Sequence, residues 1–268
     1  VGEESQNTGR LRIAVLGSGS KGNSIFIASP QTRVLVDAGF SCAQVEQRLA
    51  KIGESIHGIN GIIISHEHHD HLRGVNTLIR RYGIPLFISE KTFEGARIRF
   101  PHSVKNFFIT AGNDFSVGDL QFHPFTVPHD AIDPLGFVIQ CNNEKIGIAV
   151  DLGFSSKLVE QKLKDCSVLI LESNHDPEML LGGPYPWELK QRIMSRLGHL
   201  SNTDLAELLK KIVSHKVKYL FLAHLSETNN HPQLAWQCCS SVLEECNINH
   251  IKIIVSHQNK PTELLEIL

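Results

Sequence analysis

The chain has 268 residues, 41% of them hydrophobic, and 26 Lys and Arg against 28 Asp and Glu give a net charge of −2. That length allows one large α/β domain or two small ones with a sizeable core, and the near-neutral balance argues neither for nor against a nucleic-acid partner. No apolar run approaches the ~20 residues of a membrane span, so no membrane association is expected. The six cysteines contain no CxxC pair, and with no secretory leader in view they read as reduced, mostly buried thiols of a cytoplasmic protein. Residues 1–10 are polar and lack an initiator Met. They are expected to be a frayed or added end outside the fold.

Leu11–Leu16 reads as a strand, followed by Gly17-Ser18-Gly19-Ser20-Lys21-Gly22-Asn23-Ser24. This loop matches GxGxxG literally, with Asp37 twenty residues after Gly17. A dinucleotide site, however, needs the last Gly to open a helix. Here Ser24–Ser29 is strand-like and breaks at Pro30, and Arg33–Val36 is another strand. That is a meander rather than a βαβ unit. Asn23 also stands where a P-loop carries Lys. No nucleotide cofactor is expected, although the loop amides could still meet a phosphate.

Val36-Asp37-Ala38-Gly39-Phe40-Ser41 ends a strand and opens a helix to about Ile52. An apolar run, Gly61 to Ile64, then stops at Ser65-His66-Glu67-His68-His69-Asp70-His71. A continuous β-branched run marks a strand covered on both faces, so the histidines sit where a rigid strand becomes a loop. In an extended segment residues two apart point the same way. His66 and His68 can therefore reach one ion, and Asp70 and His71, one step further along, suit a second. The helical HExxH reading fails, because position 70 is Asp where that motif needs His.

His71–Tyr82 reads as a helix with Leu72, Val75, Leu78 and Ile79 on one face, Leu86–Ser89 as a strand and Lys91–Arg99 as a short helix. Seven basic residues lie between Arg73 and Lys105 against Glu90 and Glu94. They form either a polyanion-attracting patch beside the histidines or an ordinary solvated face. From Lys105 to Val127 strands alternate with turns at Gly112-Asn113 and Gly118-Asp119, ending in Val127-Pro128-His129. Lys145–Asp151 is a strand, and Val150-Asp151-Leu152-Gly153-Phe154-Ser155 repeats the earlier strand end. From Val36 and Val150, the stretches to Leu49 and Leu163 agree at nine of fourteen positions. An apolar strand follows each helix, the second being Ser167–Leu171 before Glu172-Ser173-Asn174-His175. Two such halves, each a sheet with helices on one face, pack sheet to sheet as a four-layer αββα sandwich. Tyr185–Leu197 and Thr203–Val213 read as helices, the latter behind a Ser201-x-x-Asp204 capping pattern. Lys218–Ala223 is a strand leading into His224, His231-Pro232 opens a helix to about Cys246, and Ile251–Val255 is the final strand.

The spacing His66-x-His68-x-Asp70-His71 resembles the signature of the metallo-β-lactamase-fold hydrolases. The resemblance implies an α/β fold of the αββα type over residues 11–268 as a single domain, and two divalent metal ions, usually zinc, with manganese or iron as alternatives. It places His66, His68 and His129 on the first metal, Asp70, His71 and His224 on the second, and Asp151 between them. His123 competes with His129 but lies inside a strand. Asp37, the counterpart of Asp151, is expected to orient ligands or support its turn. In the flavodiiron oxidoreductases of this fold Glu occupies the place of His68, so His there favours hydrolysis.

The layout Gly198-His199-Leu200-Ser201-Asn202, a helix, then Ala223-His224-Leu225-Ser226 is similar to tRNase Z, where a His and a Glu protonate the leaving oxygen. His199 and Glu172 fit those places, with Asp70 also orienting the attacking oxygen; a displaced alkoxide needs that proton. His199 can equally be a residue fixing its own turn, and Glu172 a support for metal ligands. Thr228-Asn229-Asn230-His231-Pro232 lacks the basic residue of the tRNase Z motif, which speaks against tRNA processing. There is also no room for the cap of the β-CASP nucleases. Together with Gly17–Asn23, Glu172–Asp176 and Gly183-Pro184-Tyr185-Pro186-Trp187, these stretches resemble the YycJ/WalJ branch of the superfamily. That implies a DNA 5′-exonuclease with a role in DNA repair. Hydrolysis of a thioester, lactone or lactam by the same metals, and a non-catalytic metal-binding regulator, are the alternatives. His57, His102, His123, His215, His250 and His257 read as structural or surface residues; His175 is undecided.

Overall fold

The computed structural model describes residues 10–96 and 105–267. The polar N-terminal end, His102 and the last residues of the expected Lys91–Arg99 helix lie outside them. The chain begins with an antiparallel meander, β1 (Leu11–Gly17), β2 (Ser24–Ala28) and β3 (Arg33–Val36). Helix α1 (Cys42–Lys51) then leads to β4 (Gly61–Ile63), which runs parallel to β3. Helices α2 (His69–Leu72), α3 (Val75–Tyr82) and α4 (Glu90–Ala96) accompany the parallel strands β5 (Leu86–Ile88) and β6 (Asn106–Phe108).

The second sheet starts with β7 (Phe115–Val117), β8 (Leu120–Thr126), β9 (Leu135–Cys141) and β10 (Glu144–Ala149), all antiparallel. Helix α5 (Lys157–Leu163) carries the chain to β11 (Val168–Glu172), parallel to β10. Helices α6 (Pro177–Gly182), α7 (Trp187–Met194) and α8 (Asn202–Ile212) precede β12 (Tyr219–Ala223). Helix α9 (Pro232–Glu245) precedes β13 (Lys252–Val255), and β14 (Leu265–Ile267) returns to pair with β1. The strand orders are β14-β1-β2-β3-β4-β5-β6 and β7-β8-β9-β10-β11-β12-β13. Both sheets thus have the same plan: an outer strand, an antiparallel meander, then parallel strands reached through helices.

Three apolar layers explain why the strands read as unbroken hydrophobic runs. Phe221 and Ala223 of β12 point between the sheets, toward Phe122, Phe137 and Ile170. Leu220 and Leu222 of the same strand face outward onto α5, α8 and α9. On the far side, Leu16, Phe26 and Leu35 pack under Val45 and Leu49 of α1 and Leu78 and Ile79 of α3. This is the four-layer αββα sandwich expected from the sequence. No helix among the described residues is long and apolar enough to cross a membrane, and the six cysteines are free thiols.

The structure corrects the expected elements in three places. The helix expected over His71–Tyr82 is two helices, because the chain must pass tightly under the β3–α1 turn. A Cβ on Gly74 would lie 2.3 Å from the Phe40 carbonyl oxygen, and the Gly74 N–H donates to the Ala38 carbonyl instead (2.8 Å). Strand β9 and helix α6 were not anticipated. Ile251–Val255 is not the last strand, since β14 follows and completes the first sheet.

Candidate metal centre

The chemistry-bearing residues gather where β3, β4, β10, β11 and β12 end. Asp37 follows β3, Ser65 and His66 follow β4, Asp151 follows β10, Glu172 closes β11 and His224 follows β12. The carboxyl ends of strands are where open α/β sheets hold ligands. Asp37, Asp151 and His224 adopt left-handed backbone angles, with φ of 62°, 55° and 55°. Such conformations cost about 1–3 kcal/mol and persist where surrounding bonds fix them. Here the Asp37 N–H donates to the Ile63 carbonyl (2.8 Å), and the His224 N–H to Ser18 Oγ (2.8 Å).

The structure brings together all seven residues expected at the metals. One ligand atom each from His66, His68 and His129 falls within 4.8 Å of the others, and the same holds for Asp70, His71 and His224 and for His66, His71 and Asp151. His68 Nδ1 is 3.3 Å from His129 Nε2. Asp151 Oδ2 is 2.8 Å from His71 Nε2 and 4.0 Å from His66 Nε2. The helix expected to open at His71 opens two residues earlier, so Asp70 is helical as well. Both lie in the single turn of α2, with His68 as its N-cap.

In His66, His71, His129 and His224 the other ring nitrogen is held by the protein. His71 Nδ1 is 2.8 Å from Asp37 Oδ2, whose Oδ1 accepts the Ser65 N–H (2.9 Å). His66 Nδ1 lies 2.9 Å from Ser65 Oγ. His129 Nδ1 donates to the Gly198 carbonyl (3.0 Å), and His224 Nδ1 to Glu172 Oε1 (2.9 Å). These bonds fix ring orientation and tautomer, as around metal-bound imidazoles. His66 Nε2 and His224 Nε2 are then buried with no hydrogen-bond partner, and Asp151 Oδ2 is buried with the His71 ring as its near neighbour. Each unpartnered nitrogen costs about 1–3 kcal/mol unless something binds it. Buried nitrogen and oxygen donors of this kind fit divalent cations, zinc foremost. Burial, and then the nearby His71, pushes the His66 pKa well below the ordinary histidine range, which keeps it in the neutral form a metal requires.

His199 sits beside this cluster, with Nδ1 2.8 Å from Glu172 Oε1 and 3.3 Å from Asp151 Oδ1. Burial opposes charge on His199, but Glu172 and Asp151 outweigh it and lift its pKa to about 11. Glu172 is fully buried, and its Oε2 accepts the N–H groups of Leu152 (2.8 Å) and Leu200 (3.2 Å). Against burial, His199 and His224 hold its pKa at about 2.

Three supporting residues were not anticipated from sequence. Asn23 donates its backbone N–H to the Asp70 carbonyl (2.7 Å) and its side-chain amide to Asp70 Oδ2 (3.0 Å). Ser18 braces His224, and Ser65 links Asp37 to His66. The glycine-rich loop is thus a brace for the metal ligands. A polar loop held within hydrogen-bond reach of a histidine cluster is a signal only the fold can supply. His175 is buried with Nδ1 unpartnered and borders a small cavity behind His199, outside the ligand groups. His123 lies away from the cluster, 2.8 Å from Asp114. None of the described basic residues between Arg73 and Lys105 lines the cavity over the centre, whose one Lys or Arg is Arg192.

The family described as the beta-lactamase superfamily domain matches residues 32–224. The exodeoxyribonuclease YycJ of Bacillus anthracis is 36% identical over 241 residues, 88% of this chain and 90% of that protein. The exodeoxyribonuclease WalJ of Streptococcus pneumoniae serotype 2 (strain D39) is 33% identical over 265 residues, 96% of this chain and 98% of that protein. Among solved structures, the metallo-beta-lactamase fold protein YhfI from Bacillus subtilis superposes with a TM-score of 0.73 at 15% identity, covering 95% of this chain and 99% of that one. The last comparison speaks for the fold alone; the first three reach the family. The chain belongs to the metallo-β-lactamase-fold hydrolase superfamily, in the branch of the exodeoxyribonucleases YycJ and WalJ.

Proposed function

We propose that the protein is a dinuclear-metal-dependent exodeoxyribonuclease that degrades DNA from the 5′ end and serves DNA repair. The observation that carries the hydrolytic reading is the pair of buried nitrogens without partners, His66 Nε2 and His224 Nε2, inside a cluster of imidazoles and carboxylates. The choice of DNA is supported by the two relatives named exodeoxyribonucleases. The polarity and the repair role follow from resemblance to that branch.

In this reading His66, His68 and His129 would hold one ion and Asp70, His71 and His224 the other, with Asp151 a ligand shared between the sets; zinc is the metal we favour. Two such ions supply a nucleophilic hydroxide near neutral pH and stabilise charge developing on phosphorus-bound oxygens. The chain's own residues do the rest. Asp37 fixes the His71 ring through Nδ1, and Glu172 does the same for His224. Asp70 orients the attacking oxygen. Glu172 also grips His199 through Nδ1, which leaves Nε2 to give a proton to the departing alkoxide. An alkoxide leaving phosphorus or an acyl carbon takes that proton alike, so the preference for a phosphodiester is supported by the two exodeoxyribonuclease relatives.

The test is to incubate the metal-loaded protein with 5′-phosphorylated, 3′-labelled duplex DNA under zinc, manganese and iron in turn. A ladder shortening from the 5′ end is expected. Intact DNA under all three metals, with the ions shown to be bound, would move the assignment to a small-molecule hydrolase.

A further inference from the structure

Helix α7 lies beside the metal centre with an unusual surface. Of eleven exposed large apolar side chains among the described residues, five fall between positions 181 and 197: Leu181, Trp187, Leu189, Met194 and Leu197. The helix is held in place largely by polar ties. Lys190 Nζ donates to the Leu181 carbonyl (2.6 Å), and Arg192 pairs with Asp130, next to His129 (2.6 Å). Tyr185, Leu189, Arg192 and Ile193 are spaced i, i+4, i+7 and i+8, one face of a helix and its lead-in. All four line the same cavity of about 250 Å³ as Asp70, His199 and His224.

That cavity is therefore composite. Part of its lining is the candidate metal ligands and polar residues such as Asp130, Asn174 and Ser226; one wall is an aromatic ring, two aliphatic side chains and a guanidinium. Metal chemistry needs no apolar wall, but a nucleotide does: its base has a flat apolar face and its phosphate a negative charge. Aromatic side chains beside cationic ones are how proteins hold single strands irrespective of sequence. The volume lies just below the ~300–1,000 Å³ of ordinary ligand pockets, a scale that suits a single nucleotide.

We propose that Tyr185, Leu189 and Ile193 form a platform for the base of the strand's terminal nucleotide, while Arg192 takes the adjoining phosphate. This rests on the nuclease reading above and adds to it a subsite for the terminal base. The platform contacts only the face of the base, so it predicts little preference among the four bases. Tyr185 and Leu189 are binding residues here, and their loss acts on kcat/KM for nucleic acid without changing metal content.

Two readouts test it. In the first, metal-loaded protein binds a single-stranded oligonucleotide with 2-aminopurine as its 5′-terminal base and a non-hydrolysable methylenephosphonate first linkage. Stacking is expected to quench the fluorescence with the wild type and with Tyr185→Phe, but not with the Tyr185→Ala/Leu189→Ala double variant. In the second, removing the terminal base from a cleavable strand is expected to lower wild-type kcat/KM by about 10- to 100-fold, on the scale of base–aromatic stacking. The double variant should show the lower rate with both substrates. Equal penalties in both proteins, no quenching by the wild type, or full activity of the double variant on the complete strand would each overturn the platform. The last result would fit α7 as a docking face for another protein. Quenching without hydrolysis of any DNA would instead overturn the exonuclease reading and leave the platform standing.

Discussion

Gly39 offers the sharpest single-atom test of how the centre is built. A Cβ placed there would lie 1.5 Å from the Asp70 carbonyl oxygen, 2.4 Å from its carbon and 2.6 Å from the Asn23 nitrogen, whereas real Cβ contacts begin near 3.0 Å. The φ of Gly39 is not in the left-handed region, so the substitution Gly39→Ala perturbs by volume alone. Both obstacles are backbone, so no side chain can swing aside, and the Asp70 carbonyl must retreat by roughly 1.5 Å from the position in the structure. That movement breaks its bond from the Asn23 N–H and displaces α2, which carries Asp70 and His71. Overpacking costs about 1–3 kcal/mol, and the lost partner of a buried N–H adds about 1–3 kcal/mol. A destabilisation of order 3–5 kcal/mol is expected. Metal–ligand distances tolerate about 0.2 Å, so the Asp70–His71–His224 set should lose its ion. The assay is thermal or urea denaturation together with metal analysis after dialysis. Gly182→Ala is the control, since nothing lies within 4 Å of its added Cβ. A Gly39→Ala protein with two tightly held ions and wild-type stability would refute the reasoning.

Three further outcomes follow from the same geometry. Asp37→Asn weakens the hydrogen bonds to His71 and Ser65 and should lower metal affinity about 10- to 100-fold, read by competition with a chromogenic chelator; unchanged affinity would contradict the orienting role. Stripping the metals should lower Tm by about 5–10 °C per ion, given about 2.7 kcal/mol of linkage at free metal 100-fold above Kd and about 2–4 °C per kcal/mol; restored metal should return it. His199→Ala should lower turnover of duplex DNA about 10²- to 10⁴-fold with the metal content intact, and an unaltered rate would remove it from the proton-transfer role.

Much of this was legible in the sequence because it is encoded locally. The run Ile62-Ile63-Ile64 ending in His66, His68, Asp70 and His71 announces a strand and its cargo within ten residues. Val36-Asp37 and Val150-Asp151, each followed two residues later by Gly, announce the same tight strand end twice. The structure gives both Asp residues left-handed angles and presses Gly39 and Gly153 against neighbouring backbone. What escaped was set by distant parts of the chain. Gly74 splits a helix because of the Phe40 carbonyl. Asn23 and Ser18 look like parts of a phosphate loop until the fold sets them against Asp70 and His224. Strand β14 is three residues long, too short for any periodicity, and exists because β1 offers it an edge. Strand β9 is covered almost throughout, so it shows no alternation to mark it.

The brace from Ser18 to His224 spans 206 residues, and it is one stitch of several. Gln258 accepts from the Lys21 N–H and donates to the Gly22 carbonyl, Thr262 Oγ1 accepts the Val15 N–H, and β14 closes onto β1. The loop that steadies Asp70 is thus itself steadied by residues as far as 237 positions further along the chain. As the polypeptide leaves the ribosome, the histidine cluster at positions 66–71 emerges early, yet its scaffold is finished only when the stretch near residue 267 is free to fold back. Long-range closure of this kind is slow and comes late. A chain cut before that stretch would keep all seven candidate ligands and lose the contacts that steady the brace positioning them.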